Sequence, residues 1–117
     1  MDWDHYKARL MLEIPRVRLG HIASDLGRLS HWAKDDRDAA AYSALIIRRS
    51  LDWTMNDLTP EQHEAAARLQ KWMDSWDSLP PDEASAEARK WSDELIKVAH
   101  LIDDPTWEFA RPSDSAQ

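Results

Sequence analysis

Apolar residues recur along this chain at three- and four-residue steps, and proline or acidic clusters interrupt them at intervals. Thr59 precedes Pro60 and lies three residues before Gln62, the arrangement of a capping box with proline at the first helical position. From there Ala65, Leu69, Trp72, Met73 and Trp76 fall on one face at 100° per residue. After Pro80 and Pro81 a second stripe of Ala84, Ala88, Trp91, Leu95, Val98 and Ile102 keeps a four-three alternation, the spacing of antiparallel bundle packing. Trp72, Trp76 and Trp91 therefore read as core aromatics of two consecutive helices joined by a short proline turn.

Upstream, Trp3, Tyr6, Leu10, Ile14 and Val17 share one face, and Leu19, Ile22, Leu26, Leu29 and Ala33 share another. The phase changes near Pro15, which predicts a short helix over about 3–13 and a longer one over about 15–34. The segment from about 38 to 57 is apolar on two sides. Ala40, Ala44, Ile47, Leu51 and Met55 form one stripe, and Tyr42, Leu45, Ile46 and Trp53 occupy the opposite one. A helix of that kind needs a second cover, from the N-terminal helix, from the tail around Trp107 and Phe109, or from another molecule.

The resulting expectation is an all-α, single-domain antiparallel helical bundle over 1–104. It has four main helices and a short N-terminal helix, followed by an irregular C-terminal arm over 105–117. Composition agrees, because two glycines and one phenylalanine in 117 residues leave little for turns and strands. The absence of cysteine removes a disulfide frame, a thiol nucleophile and thiolate metal ligands. The opening MDWDHYKARLMLEIP carries acids where a signal peptide needs basic residues, which points to a cytoplasmic protein with no membrane span.

The net charge of -7 is unevenly placed. Residues 1–50 carry nine Lys and Arg against seven acids, and the remainder carries six against fifteen. An acidic second half repels nucleic-acid phosphates and suits either solubility or a basic protein surface as partner, including imitation of nucleic acid toward a nucleic-acid-binding enzyme.

Three histidines are followed four residues later by aspartate, at His21/Asp25, His31/Asp35 and His100/Asp104. They read as helix-surface pairs pointing to water, so neither metal nor cofactor is expected. No glycine-framed serine, phosphate loop or dinucleotide fingerprint occurs, so no catalytic residue is assigned. One pair does invite comparison. Arg16 and His21 have the Arg-x-x-x-x-His spacing of the HEPN ribonucleases, which they resemble in those two residues. That resemblance implies an RNA-cleaving helical domain in which Arg16 steadies a phosphate and His21 acts on the ribose hydroxyl. Here the pair follows Pro15 near the start of the chain, whereas the family's pair lies toward the end of its bundle, and Gly20 is expected to interrupt the helix.

Interaction chemistry reads more clearly. Trp32 falls off its apolar stripe, on the side that carries Arg18, His21, Asp25 and Arg28. Tryptophan and arginine are enriched at protein contacts because each joins large area to a directed polar group. The candidate partner-binding residues are Trp32, Arg28, Tyr42, Ile46, Arg49 and Trp53. The leading expectation is a non-catalytic interaction module that binds another protein or itself as a homodimer, in the manner of a small regulator, inhibitor or immunity-type binder. The HEPN-like reading through Arg16 and His21 is the alternative.

Overall fold

Three proline-led helices and three side-chain caps fix where the elements begin in the computed structural model, in which residues 1–100 are described. Asp2 accepts from the His5 amide at the start of α1 (Trp3–Met11). Proline opens α2 (Pro15–Trp32), and the Asp36 carboxylate caps the Ala39 amide ahead of α3 (Arg37–Thr54). Thr59 and Gln62 form both bonds of the capping box, each at 3.2 Å, at the head of α4 (Pro60–Met73). Proline again opens α5 (Pro81–Val98). Short 3₁₀ turns at Met55–Asp57 and Trp76–Ser78 complete the path, and no strand occurs among the described residues. The expected all-α architecture is what the chain adopts, with α1 as the short N-terminal helix. The expected arm over 105–117, with Trp107 and Phe109, lies outside the described residues, as does Ile102.

Cross-helix bonds set the directions. Arg18 at the start of α2 reaches Asp57 just beyond α3. Asp52 and Arg48 pair with Gln70 and Asp74, so α3 and α4 run opposite ways. Gln62, Arg68 and Trp72 meet Val98, Glu94 and Glu87 in reverse order along α5. Ser30 meets Ser85, and Ser92 meets Ala23, so α5 returns antiparallel beside α2 and closes the ring. Helix α2 is central and packs along both α3 and α5.

The approach of α2 to α5 has a specific cause. The Ser30 hydroxyl donates to the Ser85 carbonyl at 2.8 Å, the Ser85 hydroxyl donates to the Ser30 carbonyl at 2.7 Å, and Ser92 donates to the Ala23 carbonyl at 2.8 Å. A serine Oγ reaches the neighbouring helix's backbone only where small residues let the axes come close, and Ala23, Ala84 and Ala88 supply that room. Between the helices Leu19, Ile22, Leu26, Leu29, Ile47, Leu51, Leu69, Met73 and Leu95 fill one core. At about 25 cal/mol per Å² of apolar area removed from water, such side chains supply most of the drive to fold.

Four details depart from the sequence reading. Helix α2 runs through Gly20 without interruption, because packing against two neighbours outweighs the roughly 1 kcal/mol that glycine costs a helix. The segment expected over 38–57 leaves α-geometry after Thr54 and finishes as a 3₁₀ turn. Helix α4 ends at Met73, so Trp76 reaches the core from a separate turn. Of the three tryptophans read as core, Trp76 is buried, whereas Trp72 and Trp91 sit half-buried at its edge. Each edge ring is finished by polar contact: Trp72 Nε1 donates to Glu87 at 2.9 Å, and the Arg68 guanidinium lies 5.7 Å from the Trp91 ring centroid.

Candidate functional site

Helix α2 carries His21, Ser24, Asp25, Arg28 and Trp32 at helical spacing on the flank beside its core stripe. Ala39, Tyr42, Ser43 and Ile46 hold the corresponding flank of α3. Because α2 and α3 are antiparallel neighbours, these flanks meet, and Tyr6 of α1 closes one end. The result is a cleft of about 550 Å³, within the size range of small-ligand and side-chain pockets. Tyr42 is 47% exposed at the cleft, and Leu45, about one turn further along α3 and outside the lining, is 40% exposed.

The floor is polar. The Asp25 side chain is 9% exposed and its Oδ1 accepts from Arg28 Nη1, while Arg28 itself is 62% exposed at the rim. Burial pushes the Asp25 carboxyl above its ordinary pKa, opposed by the charge and hydrogen bond of Arg28 and by His21. Burial likewise raises the Tyr6 phenol, and the negative charge of Asp25 adds to the rise. Among the described residues the Ser50 and Thr54 hydroxyls find no hydrogen bond of good geometry, although Ser50 interacts with the Tyr6 hydroxyl enough to oppose that rise. Asp25 was expected on the surface with His21. Instead Asp25 is buried where the flank of α2 faces α3 and α1, while His21, Ser24 and Arg28 reach the rim.

Four of the expected partner-binding residues, Trp32, Arg28, Tyr42 and Ile46, line this one cleft. The other two lie elsewhere. Trp53 sits 6.2 Å from Trp3 and 6.1 Å from Tyr6, ring centroid to ring centroid, and the Arg49 guanidinium lies 4.5 Å from the Trp3 centroid. They fasten α1 onto α3, so the N-terminal helix covers one end of the second apolar face. Arg18, read with the surface arginines, is buried. It donates to the carbonyls of Glu13 at 2.8 Å and Met11 at 3.4 Å and to Asp57 at 2.7 Å, tying the α1–α2 link to the end of α3.

Sequence reasoning missed that Tyr6, Ser24, Asp25 and Ser43 belong to the same cleft. The regular spacing of His21, Asp25, Arg28 and Trp32 marks the α2 flank, but nothing local shows what stands opposite. Arg16 is half-buried in the first turn of α2 and is not among the residues lining the two clefts that His21 borders. A five-residue separation turns the two side chains about 140° apart. His21, His31 and His100 are all exposed, and no group of three or more His, Asp or Glu among the described residues is placed to hold a metal ion. No described helix is long and apolar enough to cross a membrane. Compared with known proteins, the chain matches no family model, no curated protein and no solved structure at a significant level.

Proposed function

We propose that the protein is a non-catalytic interaction module that docks a partner protein over the α2–α3 cleft and acts by occluding the surface it covers. The observation that carries this reading is Tyr42, exposed at a cleft that a buried carboxylate also lines, with Leu45 exposed beside it about one turn further along α3. Large apolar side chains around a desolvated polar anchor have the make-up of a binding hot spot. On this face the exposed large apolar side chains among the described residues are Tyr42 and Leu45, whereas obligate homodimers bury a face resembling a domain core cut in half. A foreign partner is therefore favoured over a second copy.

The test pairs wild type with a Tyr42→Ala, Leu45→Ser double variant, whose positions are exposed enough to leave folding intact. A partner captured from source-cell extract, purified and titrated against both, should bind the variant at least about tenfold more weakly, the loss of a modest hot spot. Sedimentation velocity should show a monomer. Equal binding by the variant, a variant-sensitive dimer, or RNA cleavage that disappears in His21→Ala would each displace the proposal.

A further inference from the structure

The chemistry of the cleft's anchor selects what enters it. An ionised carboxylate offers about four lone-pair sites, and a buried one with few donors is under-satisfied. Among the described residues Asp25 receives one hydrogen bond, at Oδ1, from an arginine that is itself mostly in water. Its Oδ2 has acceptor capacity left in a cleft bounded by Tyr6, Trp32 and Tyr42. The positive groups around it, His21 and Arg28, are both at the exposed rim, where solvent screens them, while the acid works from the floor where screening is weak. Depth therefore decides the sign of the favoured guest: a cation gains more from the floor than an anion gains from the rim. Aromatic walls add to the preference, because ring quadrupoles attract cations and not anions.

We infer that the cleft receives one cationic side-chain group of the docking partner, a guanidinium or ammonium, seated on the Asp25 carboxylate between Tyr6, Trp32 and Tyr42. This deepens the docking proposal and rests on it for the identity of the guest as part of a protein. Arg28 already shows the mode, since its guanidinium donates to Oδ1 of the same carboxylate. It is an internal competitor whose own side chain is 62% exposed, so it can turn into solvent when a guest arrives.

The experiment uses N-acetyl-arginine methylamide as probe, titrated into isotope-labelled full-length protein near neutral pH and followed by amide chemical shifts. Saturable shifts at Ser24, Asp25, Tyr42 and Ser43 are expected, with roughly millimolar affinity for one charged group on one site. Asp25→Asn should weaken the probe at least about tenfold, as loss of a buried charged acceptor does. Arg28→Gln should tighten it about two- to fivefold by removing the competitor, the range of an ion pair whose cation is mostly in water. Because Arg28 is exposed, that variant tests the seat without altering a buried side chain. No saturable shift, equal binding by Asp25→Asn, weaker binding by Arg28→Gln, or inorganic phosphate taking the probe's place would overturn the inference. The two proposals fail separately. A partner lost in the Tyr42/Leu45 variant yet indifferent to Asp25→Asn keeps the docking face and removes the cation seat, whereas probe binding without any partner does the reverse.

Discussion

Arg18→Met probes how the small α1 helix is held against the rest, and with it one wall of the cleft. The guanidinium is 8% exposed and makes three bonds, to the carbonyls of Glu13 and Met11 and to Asp57. A hydrogen bond from a charged donor is worth about 1.5–3 kcal/mol when shielded. The 2.8 Å bond to Glu13 qualifies, while the 3.4 Å bond to Met11 lies at the weak end. Asp57 is 45% exposed, so its pairing is screened and contributes about 1 kcal/mol or less. Methionine retains the apolar stem, and the freed carbonyls lie on an exposed link that water can reach. Adding these gives an expected loss of about 2–4 kcal/mol in urea unfolding, with the slope unchanged. Hydrogen exchange should show the loss first in α1, whose amides lose protection before those of α2 and α5. A loss below about 0.5 kcal/mol with α1 protection unchanged would refute the assignment of Arg18 as the tie between α1 and the bundle.

Other substitutions address other joints. Ser85→Ala should cost about 1 kcal/mol for a lost buried hydrogen bond, and Ser85→Val about 2–3 kcal/mol because the added methyl forces α2 and α5 apart; the order in urea melts is the check, and an equal or reversed order would contradict close helix approach. Trp53→Ala should cost about 2 kcal/mol, roughly half of a fully buried aromatic truncation, and should free α1, read by loss of amide protection there. The raised carboxyl of Asp25 favours the native state when protonated, so its contribution is complete below the unfolded value near 3.9 and disappears as pH rises through the higher folded value. Asp25→Asn should therefore gain stability relative to wild type between pH 4 and 7 in parallel urea titrations; a relative loss over that window would show that burial does not govern this carboxyl.

The helices and most of their starting points could be read from local chemistry alone, whereas the ends of α3 and α4 could not. Pro15, Pro60 and Pro81, the Thr59–Gln62 box and the three- and four-residue stripes each act within a turn or two of chain, so sequence carries them whole. The two-sided character of α3 was equally visible, since it is a property of one helix. What sequence could not show was which neighbour meets which flank. Arg18 and Asp25 look like surface residues on a wheel, and become buried only because α1, α3 and α2 converge around them. Trp53 and Arg49 look like free anchors until α1 folds back onto them. Ser30, Ser85 and Ser92 look like scattered polar residues, yet they join α2 to α5 across more than fifty positions. Periodicity fixes the angle at which a side chain leaves its own helix, whereas burial and pairing depend on which other helix stands at that angle. Only the closed ring of helices decides that, and with it the joining of Tyr6, Asp25 and Tyr42 into one cleft.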